Sequence, residues 1–220
     1  MKVFLLTLAL LLSLPALASD RAALVIGIDG YPSAPLQNAV RDAAAVKAML
    51  TSQLGFAEES VVYAENPGRV ALFESFGQFK AKAAQARIVV LYYAGHGMES
   101  LDGRENFLLP VDAEVREAAA SEAVLRATGV NLADLTRELA ESSAGAKVVL
   151  MDCCRERPAA RAAGGGARAG GGLATYADDR VPADTLMILA AAPAPSPATG
   201  SGTAPSPRPS STCCPGAGGT

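Results

Sequence analysis

Ala22 to Ile28 is an unbroken apolar run closed by Asp29-Gly30, a pattern that predicts a buried strand. The segment after it sets apolar residues at Leu36, Ala39, Val40, Ala43, Val46 and Leu50, the i, i+3, i+4, i+7 spacing of an amphipathic helix, with Gly55 as its stop. A short strand is predicted over 61–64 and a helix over about 69–84. Ile88 to Tyr93 is the most strand-like run of the chain and is bounded by Ala94-Gly95-His96-Gly97. Asn131 can cap a helix running to about Glu141, and Lys147–Met151 and Thr185–Ala191 read as two further strands. Strands alternating with helices predict right-handed crossovers and an α/β fold, a mostly parallel sheet flanked by helices on both faces.

The ends of the chain break this pattern. Residues 1–18 combine one positive charge at Lys2, an apolar run from Val3 to Leu17 and the small-residue site Ala16-Leu17-Ala18. This is the form of a cleaved secretory signal, too short for a spanning helix and lacking the cysteine of a lipid anchor. The mature chain is expected to begin near Ser19 and to be periplasmic or secreted, from a bacterial cell. The predicted domain then covers 19–192. Within it, 155–172 holds Arg155, Arg157, Arg161 and Arg168 together with two glycine triplets, Gly164–Gly166 and Gly170–Gly172, a flexible basic loop. Residues 193–220 are expected to be a disordered tail rich in Pro, Gly and Ser.

Composition narrows the chemistry. With 50% hydrophobic and 19% charged residues the chain is globular, and a net charge of −3 with 5% aromatics leaves no basic, aromatic-laced stripe for nucleic acid. His96 is the only histidine, which excludes zinc sites that need two, such as HExxH or Cys2His2. The four cysteines form two adjacent pairs, Cys153-Cys154 and Cys213-Cys214, with no CxxC spacing, and neighbouring cysteines bridge only through a strained ring. Four cysteines in a chain of this length do not make a disulfide scaffold, and at least one pair needs another explanation.

In a parallel α/β sheet, reactive groups gather beyond the carboxyl ends of the strands. His96 and Cys154 are each predicted just past a strand end, after Tyr93 and after Met151. If those strands are neighbours, the imidazole can hold the sulfur as thiolate and later protonate a leaving amine. The backbone N–H groups of Gly97 and Cys154 could then receive an oxyanion.

Tyr92-Tyr93-Ala94-Gly95-His96-Gly97 and Met151-Asp152-Cys153-Cys154-Arg155 resemble the Y-x-G-H-G and D-x-C-R motifs of the caspase-like cysteine peptidases, most nearly the bacterial members related to metacaspases and paracaspases. Ala23–Ile28 with Pro35-Leu36-Gln37-Asn38-Ala39 and Asp42, Leu54-Gly55-Phe56, and Glu105 through Asp112 extend the resemblance over about 22–192. It implies a caspase-like three-layer sandwich and an endopeptidase acting on polypeptides. His96 becomes general base and acid, and Cys154, directly before Arg155, the nucleophile, with Cys153 a packed small residue. It also implies that Asp42 and Asp152 line the primary pocket and favour cleavage after Arg or Lys, because two confined carboxylates attract a guanidinium or ammonium. True caspases carry glutamine where Asp152 stands. The arginine-rich loop reads first as a solvated linker, with self-cleavage there as the alternative. No cofactor is implied; calcium activation, known in some metacaspases, would leave no readable EF-hand spacing here.

Two other readings compete: a catalytically inactive caspase-fold binding or regulatory protein, and an unrelated flavodoxin-like domain, for which Ile28-Asp29-Gly30-Tyr31 supplies no glycine-rich phosphate loop. The first draws on a departure at the C-terminus. The family continues with G-x-F-T-x-A-L and a closing helix, whereas here Pro193 onward is proline-rich. A nucleotide string that reads Gly-Thr-Ala-Pro-Ser-Pro, residues 202–207, can read Gly-His-Gly-Ala-Phe-Thr in the neighbouring frame. A frameshift within about 192–202 is therefore expected, with the last element missing and Cys213-Cys214 accidental. Sequencing the gene tests this: a family-like continuation in the alternative frame is the expected result, and its absence from every frame would end the idea.

Overall fold

The apolar runs form strands, and those at the centre of the sheet are buried on both faces. The computed structural model describes residues 20–100, 102–154, 181 and 183–190, and the side chain of Cys154 is outside the description. The expected leader over 1–18, the basic loop 155–172 and the tail 193–220 lie outside the described residues, as do Cys213 and Cys214. Among the described residues the strands are β1 (Arg21–Gly27), β2 (Val61–Glu65), β3 (Ile88–Glu99), β4 (Asn106–Leu108), β5 (Val130–Asn131), β6 (Ala146–Cys154) and β7 (Thr185–Ala190). The helices are α1 (Ala39–Ser52), α2 (Arg69–Ala83), α3 (Val115–Ala120), α4 (Glu122–Thr128) and α5 (Leu132–Ala140). The main sheet runs β2-β1-β3-β6-β7 with every pairing parallel. No helix among the described residues is long and apolar enough to cross a membrane.

Strand alternation divides the core into two layers. Ala22, Leu24 and Ile26 of β1 lie beside Val89, Leu91 and Tyr93 of β3, and α2 and α5 close this layer with Leu72, Phe76, Phe79, Leu132, Leu135 and Leu139. Ala23 and Val25 lie beside Val90 and Tyr92, and α1 closes the other layer with Ala39, Ala43 and Leu50. Covering both faces is what lets β1 be apolar from Ala22 onward. The predicted cap holds: Asn131 Oδ1 accepts from the Ala133 N–H at 2.8 Å and α5 starts at the next residue.

Two strands are longer than their apolar runs. β3 continues from Tyr93 to Glu99, through the glycine-containing segment expected to be a loop, and β6 continues from Met151 to Cys154. The cause is pairing. β6 accompanies β3 as far as His96, and beyond that β4 takes over antiparallel, with Gly97 opposite Leu108 and Glu99 opposite Asn106. His96 and Cys154 therefore sit inside strands and not past their ends. The small β4, β5, α3 and α4 are too short for periodicity to reveal. β4, β5 and α4 are tied together by Glu105, whose carboxylate accepts from Arg126 and, at 2.8 Å, from Asn131 Nδ2.

β7 is covered on one side only. Leu186 and Ile188, paired with Val148 and Leu150 on the α1 face, are 57% and 47% exposed, and no helix among the described residues lies over them.

Gly27 fixes where α1 meets the sheet. A Cβ at this position would lie 2.7 Å from the Ala39 carbonyl oxygen, the Val40 Cα and the Ala43 Cβ, so α1 rests directly on the end of β1. Gly27→Ala is expected to push helix from strand and cost about 1–3 kcal/mol; a thermal or urea midpoint equal to wild type would contradict this close approach.

Candidate active site

The site is built where β3 leaves β1. Ile28 N–H donates to the Ala94 carbonyl at 2.9 Å, after which the chain turns away from the sheet and crosses over the strand ends before entering α1. The turn closes on itself through Leu36 N–H to the Asp29 carbonyl at 2.9 Å. Its start is held by Asn66, in the left-handed region at φ 45°, whose Oδ1 accepts from the N–H groups of Asp29 and Gly30 at 2.9 and 2.8 Å.

This turn covers His96, which is 1% exposed. The imidazole Nε2 lies 2.7 Å from the Ala34 carbonyl oxygen. A carbonyl has no proton to give, so Nε2 carries the hydrogen, and in the neutral ring Nδ1 is the basic nitrogen. The Tyr31 ring packs on the imidazole with centroids 4.5 Å apart at 58°.

The backbone of His96 is held as firmly. Its N–H donates to the Tyr31 hydroxyl at 3.0 Å, and its carbonyl accepts from Leu109 N–H at 3.0 Å and from the Tyr93 hydroxyl at 2.8 Å. The Leu109 carbonyl lies 2.8 Å from the Tyr31 hydroxyl and 2.9 Å from that of Tyr93, and the two hydroxyls are 3.2 Å apart. Each hydroxyl has one proton. With Tyr31 donating to Leu109 and Tyr93 to His96, every group has a partner. Burial pushes both phenols far above their ordinary range, so both stay neutral donors. Gly95 has to be glycine: a Cβ there would lie 2.7 and 2.8 Å from the two hydroxyls.

Register brings the second candidate to the same place. In the parallel pairing of β3 with β6, Gly95 stands opposite Cys153 and His96 opposite Cys154. Cys153 is 2% exposed, in the strand phase that faces α2 and α5. Desolvation pushes its thiol far up, and the Asp152 carboxylate adds to the shift, so Cys153 holds its proton at neutral pH. Gly97 lies beside this pair. Because Leu109 N–H bonds the His96 carbonyl, Gly97 and Leu108 are a non-hydrogen-bonded pair, and the Gly97 N–H turns to the opposite edge of β3, where β6 runs.

The two candidate pocket carboxylates arrive on different elements. Asp152 is half-buried on β6, opposite Ala94 of β3 and Ala190 of β7. Asp42 is half-buried in the first turn of α1. Both belong to the carboxyl-end rim of the sheet.

Sequence reasoning did not find Tyr31 or the Ala34 carbonyl. A backbone acceptor has no residue signature, and the only hint of Tyr31 is a lone aromatic in the turn-rich stretch Asp29-Gly30-Tyr31-Pro32-Ser33. The Glu105–Asp112 segment acquires a physical account. Glu105 anchors β4, Leu109 holds His96, and Asp112 caps α2 by accepting from Arg69 N–H at 3.0 and 3.1 Å.

The sequence matches the Peptidase C14 family, the caspase domain, over residues 20–203. Among solved structures the chain is similar to the Drosophila initiator caspase Dronc, at 14% identity and a TM-score of 0.44 over 60% of this chain and 48% of that one. It is also similar to a protein of Geobacter sulfurreducens, at 19% identity and a TM-score of 0.43 over 61% of this chain and 50% of that one. The chain thus spans about half the length of these two structures. No curated protein sequence matches it.

Proposed function

The chain belongs to the caspase-domain family, and on that premise we propose that it is an exported cysteine endopeptidase cutting polypeptides after arginine or lysine, with His96 and Cys154 as its dyad. One observation carries the reading: His96 and Cys154 are register partners on adjacent parallel strands, and neighbouring strands run about 4.8 Å apart.

The reaction follows from the tautomer. Nδ1 takes the Cys154 proton, giving thiolate and imidazolium, and the Ala34 carbonyl holds the new positive charge through Nε2–H. The thiolate attacks the scissile carbonyl carbon, and the N–H groups of Gly97 and Cys154 receive the oxyanion. As the carbon–nitrogen bond breaks, Nδ1–H passes its proton to the leaving amine. Water, deprotonated by the same nitrogen, then hydrolyses the thioester. No cofactor enters these steps.

Asp42 and Asp152 give the primary pocket its charge, and a guanidinium fork suits two carboxylates better than an ammonium does. Export rests on the leader-like pattern of residues 1–18.

A fluorogenic arginine peptide is expected to be turned over by the mature protein much faster than its aspartate twin. Cys154→Ala and His96→Ala should each lower kcat/KM by about a thousandfold or more. Asp152→Asn should cost about 2 kcal/mol of transition-state binding for the arginine peptide, roughly thirtyfold. Preference for the aspartate peptide would reject the pocket assignment, and equal activity in wild type and both dyad variants would reject the enzyme.

A further inference from the structure

Of residues 29–38, which cross over the strand ends, Tyr31 alone is buried, while Gly30, Pro32, Pro35 and Gln37 are exposed. Ala34 and Leu36 pack partly buried against the core, and Tyr31, the deepest side chain of the stretch, meets His96 in two ways: its hydroxyl receives the His96 N–H at 3.0 Å and its ring lies 4.5 Å from the imidazole. Three residues later the same stretch supplies the Ala34 carbonyl, 2.7 Å from Nε2. The position of that acceptor relative to the ring thus passes through Tyr31. From the other side, the Tyr93 hydroxyl bonds the His96 carbonyl at 2.8 Å, and the Leu109 carbonyl, within reach of both hydroxyls, locks them together.

We infer that Tyr31, backed by the Tyr93 hydroxyl, is a positioning residue that holds His96 in the Nε2–H tautomer by fixing the Ala34 carbonyl against the imidazole. The consequence deepens the proposed reaction and rests on the reading of His96 as proton carrier. A neutral imidazole that loses its carbonyl acceptor can move its proton to Nδ1, and in that tautomer the nitrogen assigned to the thiol cannot accept a proton. Removing the Tyr31 hydroxyl leaves the His96 N–H without its acceptor and the Leu109 carbonyl without one of its donors. The clamp relaxes where the turn is anchored and the Ala34 carbonyl moves with it. Substrate binding is untouched, because neither tyrosine belongs to the pocket carboxylates.

His96 is the only histidine, so in tag-free protein every histidine resonance reports on it. The test is ¹⁵N-histidine NMR on the full chain carrying Cys154→Ala, which leaves the ring no thiol partner, with and without Tyr31→Phe, folding being checked by circular dichroism. The parent is expected to show the Nε2–H tautomer alone, and Tyr31→Phe a mixture with Nδ1–H. With Cys154 intact, Tyr31→Phe should lower kcat by roughly ten- to a hundredfold at unchanged KM. If Tyr31→Phe does not fold, Tyr93→Phe opens the same clamp from the carbonyl side and is expected to give a mixture too. A pure Nε2–H tautomer in the folded variant overturns the inference whatever the activity. A parent chain with no peptidase activity would instead reject the proposed reaction, and the tautomer measurement would still decide the role of Tyr31.

Discussion

The pairing of β3 with β6 is the interaction on which the site depends. It begins in the core, with Val89 opposite Lys147 and Leu91 opposite Val149, and continues without a break until His96 meets Cys154. Nothing local to either motif sets that meeting. The register is fixed by the apolar residues below it, because a slip of one residue would turn Val149, Met151 and Cys153 out of the layer they share with α2 and α5. The same slip would change which residue stands beside His96. Hydrophobic burial thereby keeps Cys153 in the core, where its thiolate is suppressed.

A second constraint orients what register has placed. His96 is extended backbone whose N–H and carbonyl both face polar partners drawn from three elements: Tyr31 after β1, Tyr93 on β3 itself, and Leu109 after β4. The His96 N–H and the His96 and Leu109 carbonyls, buried together, would be costly if any lacked a partner. Two hydroxyls satisfy them because each donates once and can also accept. Gly95 leaves the room for this arrangement, and Gly27, by letting α1 rest on β1, fixes where the turn carrying Tyr31 and Ala34 must end.

The parts of this architecture readable from sequence are those carried by long or repeated patterns. The apolar run of β1 and the spacing from Ala39 to Leu50 give a strand and a helix directly, and Asn131 marks the start of α5. The candidate residues His96, Gly97, Cys154, Asp42 and Asp152 stand out by type and by the motifs they belong to. What could not be read was set by tertiary pairing. Ala94-Gly95-His96-Gly97 carries a glycine pair that argues for a loop, yet partners on both edges keep it extended. β4 and β5 are three and two residues long and exist through their neighbours. Tyr31 acts through a hydroxyl reaching 65 residues along the chain and Ala34 through a carbonyl, and neither leaves a pattern in the residues beside it.

The central claim is that backbone register makes Cys154, and not Cys153, the partner of His96. Reacting the full chain with a peptidyl-arginine acyloxymethyl ketone and locating the adduct by mass spectrometry, in wild type and in His96→Ala, tests it most directly. The account predicts a single adduct on Cys154, no adduct on Cys153, and labelling that collapses when His96 is removed. An adduct on Cys153, or labelling of Cys154 at an unchanged rate without His96, would contradict it.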